Sequence, residues 1–226
     1  MNLKRQAARR ALAYVRSGMV LGLGSGSTVG YFLDMLGESL QTGALQEIVG
    51  VPTSGATADR ARALGIPLAN LADYPRLDLA VDGADEVDPD LNLIKGLGRA
   101  LLREKIVEVH ADRFLVVVDE SKLVPRLGRG PLPVEIVPFG AEAQVRWLNT
   151  LGCRAELWLE DAAPIVTDNG NYLARCWFPD GIAAPHALAH TLAERPGIVE
   201  HGLFLNMADV VLVAGAEGVR LLERAS

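Results

Sequence analysis

Cysteine is nearly missing: Cys153 and Cys176 are the only two in 226 residues. Two cysteines do not make a disulfide framework, and they suit a reduced, cytoplasmic protein. No stretch approaches the roughly 18 apolar residues of a membrane span. The N-terminal segment carries Ala7, Ala8, Ala11, Leu12 and Val15 at amphipathic-helix spacing. Its charges interrupt the pattern too often for a signal peptide, so a soluble intracellular chain is expected. Positive charge is in the minority, with 22 Lys plus Arg against 28 Asp plus Glu and a net charge of −6. That balance argues against nucleic acid or an anionic membrane as the main partner. It leaves room for a small phosphorylated ligand, which needs only a few cations and backbone amides. Histidine is also scarce. His186 and His190, four apart, make at most half a zinc site, and no HExxH pattern accompanies them. Neither cysteine carries a nucleophile signature.

What is present is globular: half the residues are hydrophobic and 22% are charged. The length suits one large α/β domain, or one with a smaller companion, and can bury a core without metal or disulfide staples. From residue 19 to 119, short apolar runs alternate with helical patterns. Strands are expected at 19–24, 47–51, 77–82 and 113–119, with helices at 27–40, 56–64 and 98–110. Leu102, Ile106 and Val109 mark the apolar face of the last helix. This alternation predicts a parallel, doubly wound sheet. After Lys122 the grammar changes. Gly128, Gly130, Pro131 and Pro133 punctuate a boundary. The order strand (134–137), helix (141–151), strands (153–159 and 172–178) and helix (185–194) then predicts a small α+β domain, with Asp168-Asn-Gly-Asn171 as a turn. Trp147, Trp158 and Trp177 all fall in this segment, as core or interface. An apolar strand at 208–214 returns to the first sheet. The expected division is 1–128 with 207–226, and 129–206.

Chemistry gathers in the turns that follow strands. Gly22-Leu-Gly24-Ser-Gly26-Ser27-Thr28 joins a strand to a helix, where glycines admit a ligand close to the backbone and first-turn amides attract an anion. Position 27 is serine where a dinucleotide fingerprint wants glycine, and the second strand ends Val51-Pro52-Thr53-Ser54 without the ribose-holding acid. No Gly-Lys-Ser/Thr closes it as a P-loop. Phosphate binding without a nucleotide is the functional reading; a plain tight turn is the alternative. Asp82-Gly83-Ala84-Asp85 follows the third strand. In an open α/β sheet, ligands bind beyond the carboxyl ends of the strands, so both turns are expected on one edge. Asp82 and Asp85 suit acid–base work or sugar hydroxyls; a cation site with Asp88 and Asp90 lacks the regular spacing of an EF-hand, and a helix cap in a solvated loop is the plain alternative. Lys95-Gly96-Leu97-Gly98 carries a cation into a helix start. Glu104 shares a helix side with Ala100 and Leu101, and a carboxylate leaning inward is raised by desolvation toward a base's range. A surface glutamate between Arg103 and Lys105 is the competing reading. Lys122 offers a second cation; Lys4 is a further candidate for the phosphate, with a solvated N-terminal lysine as the plainer reading.

As an ordered set these segments resemble the A-type ribose-5-phosphate isomerase family. The resemblance rests on Gly24-Ser-Gly-Ser-Thr28, Asp82-Gly-Ala-Asp85, Lys95-Gly-Leu-Gly98, Arg103-Glu-Lys105 and Asp119-Glu-Ser-Lys122. It continues through Pro131-Leu-Pro-Val-Glu135, Val166-Thr-Asp-Asn-Gly-Asn171, Pro196-Gly-Ile-Val199 and Gly202-Leu-Phe204, covering nearly the whole chain. It implies a Rossmann-like domain with a ferredoxin-like α+β domain, as a homodimer or dimer of dimers. The implied activity is aldose–ketose isomerisation of ribose 5-phosphate and ribulose 5-phosphate in the pentose phosphate pathway, without metal or organic cofactor. It further implies Glu104 as the base, Asp82 and Asp85 holding the sugar and assisting ring opening, and Lys95 on the enediolate oxygen. Substrate binding falls to Ser25, Gly26, Ser27, Thr28, Gly83, Ala84, Gly96, Leu97, Gly98 and Lys122. The family usually has Lys-Gly-Gly-Gly where Leu97 and Arg99 stand here, and threonine where Leu102 stands. If position 97 needs a left-handed backbone, leucine costs about 1–2 kcal/mol there. Two other readings remain: a non-catalytic sugar-phosphate sensor of the same fold, and a related lactonase or deaminase, for which no histidine lies near the glycine turns.

Overall fold

The computed structural model describes residues 2–224. It begins with α1 (Leu3–Leu12), β1 (Val20–Leu23), α2 (Ser27–Gln41), β2 (Val49–Pro52), α3 (Gly55–Ala63) and β3 (Leu79–Asp82). Two short strands, β4 (Glu86–Val87) and β5 (Leu93–Ile94), precede α4 (Leu101–Glu108) and β6 (Phe114–Asp119), and a 3-10 turn (Glu120–Lys122) ends this stretch. Next come β7 (Leu132–Ile136), α5 (Ala141–Leu148), β8 (Arg154–Leu157), β9 (Leu159–Glu160), β10 (Ala163–Pro164) and β11 (Tyr172–Trp177). The order finishes with α6 (Pro185–Ala193), β12 (Ile198–His201), β13 (Leu203–Phe204), β14 (Val210–Gly215) and β15 (Gly218–Glu223). Side-chain caps set the helix starts: Asn2 accepts the Arg5 N–H before α1, and Ser54 accepts the Thr57 N–H before α3.

Two units emerge, one of residues 2–84, 103–122 and 207–224, the other of 85–102 and 123–206. In the first, six strands run in the order β15-β14-β6-β3-β1-β2. All neighbours are parallel except β15, which turns back on β14 as an antiparallel edge. Parallel strands covered on both faces read as unbroken apolar runs, and β6 is buried along its length until Asp119. One face packs Leu21, Leu23 and Leu115 against Ala7, Ala8 and Ala11 of α1 and Phe32, Leu33 and Leu36 of α2. On the other, Val107 of α4 packs with Val51 and Leu77. The fold is Rossmann-like α/β with a mostly parallel sheet.

The second unit has a four-stranded antiparallel sheet in the order β12-β7-β11-β8. With α5 after β7 and α6 after β11, that is the β-α-β-β-α-β arrangement of a ferredoxin-like domain. Its core holds Leu132, Val134, Ile136, Leu148 and Leu192, together with Cys153 and Cys176. A small sheet, β13-β5-β4, belongs to the same unit.

The structure departs from the sequence reading in several places. Residues 85–102 and 123–128 cluster with the second unit, whereas the sequence punctuation put them in the first. The strand expected at 153–159 is broken into β8 and β9, and α5 ends at Leu148, where a 3-10 turn takes over. The stripe Leu102, Ile106 and Val109 is not the buried face of α4: Ile106 and Val109 are exposed, while Leu101, Glu104, Val107 and Glu108 are buried. Leucine 97 carries no left-handed strain; the positive φ angles of that turn are at Gly96 (111°) and Arg99 (69°).

Candidate active site

In the first unit the chemistry collects where β1, β3 and β6 end. Gly24 follows β1 and donates its N–H to the Val81 carbonyl of neighbouring β3. A Cβ on Gly24 would stand 2.1 Å from Cγ of Asp82, so only glycine lets the turn lie against that carboxylate. The next amide, Ser25 N–H, donates to Asp82 Oδ1 at 3.0 Å, and Gly83 N–H donates to the same oxygen at 2.6 Å. Asp82 is thus buried (1% exposed) and its Oδ1 is fixed by two backbone donors. Gly26, at φ 102°, starts α2. The first amides of a helix have no partner four residues back, so Ser27 and Thr28 open a 15-residue helix at an anion-attracting end.

Two features of this turn were not legible locally. Ser25 Oγ lies 2.9 Å from Thr53 Oγ1, 2.8 Å from Ser54 Oγ and 3.1 Å from Thr57 Oγ1, and Thr57 Oγ1 donates to the Gly24 carbonyl. Hydroxyls after β2 therefore brace the turn after β1, in the place where a dinucleotide fold would keep an acid. Lys4, half-buried, donates from its Nζ to Ser27 Oγ at 2.8 Å, bringing a cation from α1 to the glycine turn. Nothing in the first residues signals this, because it depends on how α1 packs on α2.

Glu104 lies in the first turn of α4 and is 4% exposed, so the solvated-surface reading fails. Leu77 N–H, at the entrance of β3, donates to the carbonyl of His110 just past the far end of α4. The helix therefore runs back along the sheet, and its first turn belongs to the carboxyl edge, with Asp82. Lys122 closes the 3-10 turn after β6 on that same edge, half-buried, with Asp119 accepting the Ser121 N–H.

The second unit holds the other candidates. Asp85 Oδ2 accepts the Leu97 N–H at 2.9 Å, and Asp85 N–H donates to Ile94 O, so the acid and the lysine turn are tied together. Lys95 is 2% exposed, its N–H donates to Gly202 O, and its ammonium stands 5.4 Å from the centre of the Phe204 ring. Gly96 is buried, while Leu97 and Gly98 are exposed. Arg99 makes a paired contact, both guanidinium nitrogens at 2.9 Å from the two oxygens of Glu160. This pair lowers the Glu160 carboxyl below its ordinary range and raises Arg99. Asp88 accepts the N–H groups of Asp90 and Asn92, organising its own turn as a cap. Glu86, which the sequence did not single out, is buried and accepts the amides of Gly128, Arg129 and Gly130. The glycines at 128 and 130 were its only sequence trace.

The arrangement offers an anion-binding turn, a fixed aspartate and a buried glutamate on one sheet edge, with a buried lysine and a second aspartate in the other unit. Comparison with known proteins identifies the family. Residues 49–218 match the family model of ribose 5-phosphate isomerase A (phosphoriboisomerase A). A ribose-5-phosphate isomerase A of Roseiflexus castenholzii is 54% identical over 222 residues, covering 97% of this chain and 94% of that protein. A probable chloroplastic ribose-5-phosphate isomerase 3 of Arabidopsis thaliana is 47% identical, covering 99% of this chain and 83% of that one. Among solved structures, a D-ribose-5-phosphate isomerase in complex with phospho-erythronic acid superposes with a TM-score of 0.96 at 45% identity, covering 99% of this chain and all of that one. The enzyme of Plasmodium falciparum gives 0.96 at 38% identity, covering 99% of each chain. This chain belongs to the ribose 5-phosphate isomerase A family.

Proposed function

We propose that the chain interconverts D-ribose 5-phosphate and D-ribulose 5-phosphate through an enediolate, with Glu104 as the base. The observation that carries this reading is a buried carboxylate in the first turn of α4, on the sheet edge that also holds the glycine turn and Asp82. With the sugar open, Glu104 takes the proton from C2; the electron pair forms the C1–C2 double bond and charge passes to O1. A fixed cation lowers the barrier to that charge, and Lys95 supplies it. The same carboxyl then returns the proton to C1 as O2 becomes the ketone oxygen. One base thus serves both half-reactions and nothing is gained or lost overall. Asp82 and Asp85 hold sugar hydroxyls, assist ring opening and move the hydroxyl protons. Ser25, Gly26, Ser27, Thr28 and Lys122 take the substrate, with Lys4 beside Ser27 as an added phosphate ligand.

The test is ribulose 5-phosphate formation from ribose 5-phosphate with EDTA present, for wild type and Glu104→Gln. We expect wild-type turnover to survive the chelator and the variant to lose about 10²–10⁴-fold in kcat, the usual worth of a positioned base. A folded wild type without turnover overturns the isomerase reading and favours a sensor, and full turnover in Glu104→Gln overturns Glu104 as the base. Phospho-erythronic acid carries a carboxylate where the enediolate charge develops, so it should compete with substrate and bind more tightly. The same reading puts the enzyme in the cytoplasm, as a homodimer or dimer of dimers; cell fractionation checks the first and sedimentation the second.

A further inference from the structure

The edge of the six-stranded sheet opposite the glycine turn has its own concentration of charge. Residues 2–16 carry Lys4, Arg5, Arg9, Arg10 and Arg16, and no acid occurs before Asp34, in a chain of net charge −6. Arg9 and Arg10 fall in the last turn of α1, where cations suit the negative end of the helix dipole. The dipole does not account for Arg16, which lies beyond the helix, nor for Arg113, which arrives at the entrance of β6 from far along the chain. Arg10, Arg16 and Arg113 nevertheless line one cavity of about 480 Å³, together with Tyr14, Met19 and Asp78. That volume lies within the range of small-ligand sites.

The lining is set by backbone elements rather than by mobile side chains alone. Met19, Asp78 and Arg113 immediately precede or enter β1, β3 and β6, three adjacent parallel strands. Asp78 accepts the Val20 N–H at 2.7 Å, which fixes the acid at the strand entrance. Arg113 stacks on the Tyr14 ring at 5.2 Å and meets Glu223 at 3.4 Å, so its charge is partly answered. Arg10 and Arg16 are exposed, and no ion pair ties either to a carboxylate among the described residues. Guanidinium forks grip phosphate through paired N–H donors, and several together select polyanions over single charges.

We propose that this pocket is a binding site for a small oligophosphate, distinct from the carboxyl edge where the isomerase chemistry lies. Arg10 and Arg16 take the phosphates, and Tyr14 with Met19 forms the apolar wall. The site does not depend on the roles proposed for Glu104 or Lys95.

Isothermal titration of the full chain at low salt, with inorganic tripolyphosphate and with ATP, tests it. We expect saturable binding to one site, weakened about tenfold or more by Arg10→Ala and by Arg16→Ala, the usual worth of a charged hydrogen bond. Ala13→Glu, an exposed change that adds a carboxylate to the lining and removes no packing, should weaken it likewise. All three variants should keep wild-type isomerase turnover. ATP binding more tightly than tripolyphosphate makes the ligand a nucleotide; equal affinities make it the bare oligophosphate. No saturation at millimolar ligand, or affinity unchanged in all three variants, overturns the proposal. Displacement by ribose 5-phosphate also overturns it, since the anion would then be at the carboxyl edge.

Discussion

At the scale of single residues, the glycine turn and Asp82 are one device. A methyl on Gly24 cannot coexist with the Asp82 carboxylate 2.1 Å away, so Gly24→Ala must push the acid off its two amide donors. Isomerase assays and urea melts should show a loss of about 1–3 kcal/mol in stability, the usual range for overpacking, and a larger fall in kcat than in substrate affinity. Arg99 makes a different bargain. Its left-handed backbone costs about 1 kcal/mol, and the contact with Glu160 holds it there. Because the Glu160 carboxyl titrates below its ordinary value, the pair stabilises above the unfolded-state pKa, about 4.3, and fades as pH falls through the folded value. Thermal melts of wild type and Glu160→Gln should therefore differ at neutral pH and low salt, and converge in acid or in high salt. The sequence made Gly24, Asp82 and Glu104 legible because turn chemistry and spacing are local. The partners of Lys4 and of the Ser25, Thr53, Ser54 and Thr57 hydroxyls were hidden, since each pair meets only through packing of separate elements.

Within elements, α4 teaches most. Its periodicity correctly announced a helix, but the stripe Leu102, Ile106 and Val109 named the wrong face. The buried side spends two positions on carboxylates, Glu104 and Glu108, so polarity and burial part company at the proposed base. Val107 is the apolar anchor, packed with Val51 and Leu77. Val107→Ala should cost about 1–3 kcal/mol in urea unfolding, whereas Val109→Ala, being exposed, should stay within about 0.5 kcal/mol. A Cβ on Gly22 would lie 2.8 Å from Val107 Cγ1. Gly22→Ala should thus destabilise alone and be partly rescued by Val107→Ala, a coupling that a double-mutant cycle reads directly. The short strands β4, β5 and β13 were invisible in the sequence because two-residue pairings carry no period.

For the whole molecule, the parallel sheet and the ferredoxin-like unit were readable from element order, but the boundary between the units was not. Glycine and proline at 128–133 looked like a border, yet β13 pairs with β5, and Gly128–130 amides bind Glu86, both far upstream. A fragment of residues 129–206 lacks those partners. Its denaturation followed by circular dichroism should show no cooperative transition, while the full chain should unfold cooperatively.

The strand order has a further bearing on how the molecule is made. β6 is an unrelieved apolar strand whose outer neighbour, β14, is supplied only once residues 210–215 exist, and β5 likewise waits for 203–204. During synthesis, then, Phe114–Asp119 spends the translation of some ninety residues as an open parallel edge. A ribosome stalled before Met207, or a premature stop there, would release a chain that offers this strand to any neighbour, so such products should be the ones that chaperones bind and inclusion bodies collect.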